Sequence, residues 1–154
     1  MLSLCSAVET LCIANTLTKQ TLYDWTFLGD ETLELTSSIG ISVPVEPSLP
    51  HMGSTDALFV CGGANVEQNT SKMVLGWLRK SARHGASIGG LCTGTYALAK
   101  AGLLFEKRAT IHWENQCSLS EAFPDTEVTK TPVQIDTNRY STAGGISAID
   151  LISI

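Results

Sequence analysis

No apolar stretch in this 154-residue chain is long enough to cross a bilayer. Lys, Asp, Glu, Asn or Gln interrupts every hydrophobic run before the ~18–20 residues that a span requires. Basic residues are also scarce: ten Lys+Arg stand against fifteen Asp+Glu, a net charge of −5. Phosphate neutralisation needs a basic face, so the balance excludes a stand-alone nucleic-acid-binding module. The opening MLSLCSAVETLC has no positively charged leader and reaches Glu9 early. It does not read as a signal peptide, and a cytoplasmic location without membrane contact is expected. There is no C-x-x-C pair among Cys5, Cys12, Cys61, Cys92 and Cys117. Five thiols without close pairing fit reduced cysteines better than a disulfide framework or a structural zinc site, so no metal is expected. Cys5 and Cys12 read as small buried hydrophobes. Neither G-x-G-x-x-G nor G-x-x-x-x-G-K-[ST] occurs, which leaves no nucleotide cradle, and no cofactor is expected.

At 44% hydrophobic and 16% charged the chain is not a disordered polar tail, and its length fits one domain spanning 1–154. Leu4, Val8, Leu11 and Asn15 recur at helical spacing, which predicts an amphipathic helix over 2–17. Residues 23–28 alternate as a strand, and 34–45 read as two extended pieces around Ser37-Ser38. Prolines 44, 47 and 50 then mark a loop that carries His51. The apolar run 57–61, ending in Gly62-Gly63, reads as a strand buried on both faces of a parallel sheet. A helix over 71–83 carries Val74, Trp77 and Leu78 on one face and stops at Gly85, with His84 on the surface. A buried strand over 86–91, a helix over 95–101 closed by Gly102, a strand over 109–113 and a helix over 115–123 follow. Residues 127–133 and 138–143 are extended, with a turn at Asp136-Thr137-Asn138, and 146–154 opens a helix. Strand–helix alternation predicts an α/β fold, a doubly wound, mostly parallel flavodoxin-like sheet flanked by helices. Such sheets normally begin with a buried strand. The helical start and finish therefore lead us to expect a fragment lacking its first strand and last helix.

The sharpest chemical feature is Gly90-Leu91-Cys92-Thr93-Gly94, at the junction of a buried strand and a helix. It has the G-x-nucleophile-x-G pattern of a nucleophile elbow with cysteine as the nucleophile. A tight turn of this kind strains the central residue, and side chains at the flanking positions would collide with neighbouring elements. The helix that follows aims its first amides at the sulfur, which predicts a lowered thiol pKa. The plain alternative is a glycine-rich turn holding an inert buried cysteine. His112 ends the next strand twenty residues on. In a parallel sheet that spacing returns the chain to the same carboxyl edge, where α/β sites form. Cys92 and His112 are the minimum for nucleophilic catalysis, and Glu114, two residues further, is placed either to orient His112 or to sit solvated at a strand end. Adjacent Gly62 and Gly63 at another strand end would let backbone amides converge on an anion, or simply form a strand exit.

These segments resemble a known family. Val60-Cys61-Gly62-Gly63, Ile88 to Gly94, and Ala109-Thr110-Ile111-His112-Trp113-Glu114 are similar to the ThiJ/PfpI superfamily, related to class I glutamine amidotransferases. Ser6-Ala7-Val8-Glu9, Ala14-Asn15, the run 101–104 and the ending Thr142-Ala143-Gly144-Gly145 resemble its GlxA-like branch, the N-terminal half of AraC-type transcription regulators. The resemblance makes Cys92 the elbow cysteine and His112 its partner, with Gly62, Gly63 and the Thr93 amide as the anion cradle. It also exposes a departure: enzymatic members carry an acid on the first helix where this chain has Ser3. The resemblance therefore implies a non-catalytic sensor of a small amino- or quaternary-ammonium carboxylate. Such a sensor would be homodimeric and would contact DNA only through a C-terminal helix-turn-helix domain absent from these residues. The alternative it leaves open is a cysteine-dependent hydrolase, glyoxalase-like enzyme or deglycase acting through Cys92 and His112. A third reading is a redox-responsive domain whose Cys92 is oxidised to sulfinic acid.

Overall fold

The computed structural model describes residues 1–49 and 56–154, so the expected position of His51 lies outside the described residues. The chain opens with α1 (Leu2–Thr18) and continues through β1 (Glu34–Thr36), β2 (Ser42–Pro44), β3 (Ala57–Cys61), α2 (Val66–Asn69) and α3 (Lys72–Arg83). Then follow β4 (Ser87–Leu91), α4 (Thr95–Lys100), β5 (Arg108–Ala109), α5 (Gln116–Ala122), β6 (Glu127–Val128), β7 (Val133–Asp136), β8 (Arg139–Thr142) and α6 (Ser147–Ile152). The central sheet has the order β3-β4-β8-β7. β3, β4 and β8 run parallel, and β7 folds back antiparallel on β8 through Thr137, whose φ of +58° makes the turn.

Side-chain alternation along these strands splits the core into two layers. Ile88 faces α3 and α4, packing with Leu75, Leu78, Leu98, Leu104 and Ile111. Leu91 faces the other way, toward α1 and α6, with Ala7, Ala148 and Leu151. On that second face the rings of Phe59 and Tyr140 meet over Gly89, their centroids 6.3 Å apart. The result is the expected helix–sheet–helix arrangement, with β4 at its middle.

Several local expectations are corrected. Residues 23–28 form no ladder; only Leu28 bridges to Glu46, although Asn15 holds the segment by accepting the Leu22 and Tyr23 amides at 2.8 and 3.0 Å. Alternation was present there, but no strand lies alongside to use it. β3 is half-buried rather than buried on both faces, because β4 pairs along one edge and no strand among the described residues takes the other. The helix 71–83 buries Leu75, Leu78 and Ser81 where Val74 and Trp77 were expected to lead. α1 is not the expected amphipathic helix: polar and apolar residues mix around it, Ser6 and Ala7 are buried, and Leu2, Ile13 and Leu17 are exposed. Cys5 and Cys12 are exposed as well, on the side of α1 turned from the sheet. The β34–45 hairpin, the elbow helix and the final helix form as read.

Candidate functional site

β4 ends at Leu91 and the chain turns at once into a 3-10 turn, Cys92–Gly94, that feeds α4. Cys92 sits at φ +59°, the left-handed region where non-glycine residues are strained. Two neighbours hold it there. Its amide donates to the Thr142 hydroxyl of β8 at 3.4 Å, and the Thr93 hydroxyl donates to the Gly63 carbonyl beyond β3 at 2.8 Å. The elbow is thereby tied to the strands on both sides of β4.

Close backbone approach explains the glycines. A Cβ on Gly94 would strike the Val60 carbonyl, and one on Gly62 would strike the Gly94 amide and the Thr93 side chain. On the other side Gly144, at φ +101°, lies against the reactive residue: a Cβ there would come 2.8 Å from Cys92 Sγ. Thr142 and Gly144 are site residues that motif reasoning missed. The available signal was the glycine pair after a strand end, the same signal that marked Gly62-Gly63.

The second segment is anchored on the β7–β8 hairpin. The Arg108 amide donates to the Asp136 carboxylate at 2.9 Å and the Thr110 amide to the Ser141 hydroxyl at 2.9 Å. Residues 108–110 therefore lie over one face of the β7–β8 hairpin and advance in step with β8. The strand expected over 109–113 is confined to β5, which pairs with β6, and His112 stands three residues past its end. The chain then turns through a 3-10 turn, Trp113–Asn115. His112 Nδ1 lies 3.7 Å from Glu114 Oε2, and its ring centroid is 5.8 Å from that of Trp113.

The electrostatics differ from expectation. Burial raises the Cys92 thiol above its ordinary value near 9, and the hydrogen bond from the Thr93 amide and the Met1 ammonium only partly oppose it. A short 3-10 turn supplies little helix dipole, and desolvation penalises the anion more. Among the described residues no imidazole or carboxylate hydrogen-bonds Sγ, and Ser3 contributes none. Cys61 is exposed by residue area, yet desolvation pushes its thiol up to about 11, with the Met1 ammonium opposing the rise and Cys92 adding to it. The anion cradle also needs correction. The Gly62 amide is engaged by the Leu91 carbonyl at 3.1 Å and the Gly63 carbonyl by the Thr93 hydroxyl, so the amide that reaches the sulfur is that of Thr93. No group of three or more potential metal ligands clusters among the described residues.

A model of the DJ-1/PfpI family matches residues 4–153. The chain belongs to that family. The DJ-1/PfpI relatives it resembles include the HTH-type transcriptional regulator GbdR of Pseudomonas aeruginosa, 33% identical over 152 residues, covering 99% of this chain and 41% of that protein. The HTH-type transcriptional regulator GlxA of Rhizobium meliloti is 33% identical over 153 residues, covering 99% of this chain and 47% of that protein. A crystal structure of an AraC family transcriptional regulator from Pseudomonas putida superposes with a TM-score of 0.84 at 29% identity, covering 99% of this chain and 82% of that one. The present chain thus spans less than half the length of these two curated DJ-1/PfpI relatives. No helix among its described residues is long and apolar enough to cross a membrane.

Proposed function

We propose that this DJ-1/PfpI domain is a ligand-binding regulatory module of an AraC-type transcription regulator, and that it binds a small amino- or quaternary-ammonium carboxylate without turning it over. One observation carries the reading: the elbow retains its strained geometry and its backbone amides, while the Cys92 thiol is pushed toward its protonated form with no acid or base bonded to it. Nucleophilic catalysis needs a thiolate and a group to move the proton. Binding of a carboxylate needs only backbone donors such as the Thr93 amide and a shaped surface. Likeness to helix-turn-helix regulators on both sequence and structure supports the same reading. In the whole protein, homodimers of such a module would pass the ligand signal to a separate DNA-binding domain.

The test pairs kinetics with ligand-induced stabilisation. A ligand that binds only the folded state raises stability by mass action, about 2.7 kcal/mol at a hundredfold excess over Kd. A panel of amino and trimethylammonio carboxylates is expected to raise the melting temperature, and Cys92→Ser is expected to keep most of that shift. Turnover of methylglyoxal, glycated amines or peptides is expected to stay at the Cys92→Ser background. A kcat near the ~10 s⁻¹ typical of enzymes, lost in Cys92→Ser, would replace the module by a thiol enzyme.

A further inference from the structure

We propose that Trp113 and Glu114 form the part of this site that reads a positive charge on the ligand. The inference rests on the binding-module reading above, which places the anionic end of the ligand on backbone amides and leaves the other end unassigned. Trp113 follows His112 directly, three residues past the Thr110 amide that donates to the Ser141 hydroxyl of β8, and is 70% exposed. Single exposed hydrophobic residues are ordinary on a protein surface. This one is held in place: it starts a 3-10 turn, and its ring leans on the His112 ring at an interplanar angle of 38°. One residue later stands the Glu114 carboxylate. Among the described residues its close ionisable neighbour is His112, whose Nδ1 is 3.7 Å away, and no Lys or Arg pairs with it.

An indole face presents the negative part of the ring quadrupole and attracts a cation placed over it. A carboxylate beside that face adds attraction of the same sign and is not already spent on a lysine or arginine. An exposed, braced indole with an uncompensated carboxylate next to it therefore favours an ammonium group over a neutral group of equal shape. A quaternary ammonium suits the indole best, since it offers a diffuse charge with no N–H groups that need hydrogen-bond partners. The arrangement gives the site a polarity: anion toward the Thr93 amide, cation toward Trp113.

Calorimetric titration of the chain with shape-matched pairs tests this. The probes are trimethylammonio-alkanoates of two to six carbons and the corresponding neutral tert-butyl alkanoates, identical in outline and differing in charge. The wild-type chain is expected to bind at least one cationic member about three- to tenfold more tightly than its neutral twin. Trp113→Leu is expected to bring that ratio to near one while the affinity for the neutral twin holds. Trp113→Phe is expected to retain part of the preference, and circular dichroism reports whether each variant is folded. Equal binding of the twins by the wild type, or a preference that persists in folded Trp113→Leu, overturns the charge-reading role and leaves the binding-module reading intact. Failure of every member of both series to bind the wild type overturns both.

Discussion

At the residue scale, reactivity and position come apart. Cys92 occupies the nucleophile's place, yet desolvation holds its thiol above the ordinary value, and Cys61 is lifted to about 11. Cys5, Cys12 and Cys117 are exposed. Limiting iodoacetamide at pH 7 is therefore expected to alkylate Cys5, Cys12 and Cys117 ahead of Cys92 and Cys61, because the thiolate is the reacting species. The sign follows from the upward shift: labelling of Cys92 is slow at pH 7 and goes on rising with pH beyond the ordinary value near 9, where an unshifted thiol levels off. Peptide mapping at several pH values reads this directly, and dominant labelling of Cys92 at pH 7 would restore the catalytic reading. The motif announced the turn and its glycines, since those follow from backbone clearance. It did not announce the thiol's state, which depends on how much water the folded neighbours exclude.

At the element scale, the β7–β8 hairpin does the positioning. Asp136 at its turn accepts the Arg108 amide at 2.9 Å and the Thr137 hydroxyl at 3.0 Å, and Lys107 Nζ lies 3.4 Å away. These bonds lower the Asp136 pKa below its ordinary value, led by the Arg108 amide. A carboxylate with a depressed native pKa contributes stability that is complete above its unfolded value, near 3.8, and is lost as pH falls through the native one. Asp136→Asn is accordingly expected to be less stable than wild type at neutral pH and to lose less on acidification. The gap between the two chains is expected to close below about pH 3.8, as followed by urea titration at stepped pH. Hairpin and turn were legible in the sequence because Asp136-Thr137-Asn138 carries its own turn chemistry. The attachment of residues 108–110 to it was not, since side-chain anchors between segments leave no periodic trace. The same limit explains residues 23–28, where alternation without a neighbouring strand produced no ladder.

At the scale of the whole molecule, the outer edge of β3 is the exposed seam of the sheet. Leu58, Phe59 and Val60 are half-buried, and among the described residues their backbone is paired on one side only, by β4. An unpaired edge of this kind invites pairing with another strand. α1 begins beside Gly145, which its Leu2 approaches, so its start lies at the carboxyl edge of the sheet. A strand running parallel to β3 would end there. An apolar extended segment joined ahead of Met1 is therefore expected to raise the melting temperature and reduce aggregation relative to residues 1–154. A reversible monomeric transition of the 154-residue chain, unchanged by such extensions, would contradict this. The α/β class, the layer order and the elbow were readable because each rests on patterns local to one strand or helix. Which strand edges stay open depends on the assembled sheet.

The hydrogen bond from the Cys92 amide to Thr142 spans 50 residues of sequence, and the whole of β4 lies parallel to β8 through an equally distant pairing. Closing so large a loop is slow, since its entropic cost precedes any reward from contacts. During synthesis the elbow emerges from the ribosome long before the strand that fixes its strained angle. On the reading proposed above, a nascent chain therefore carries a loose glycine-rich turn in place of a binding site until translation has delivered β8 and the Gly144-Gly145 corner, and ligand capture would report completion of the domain.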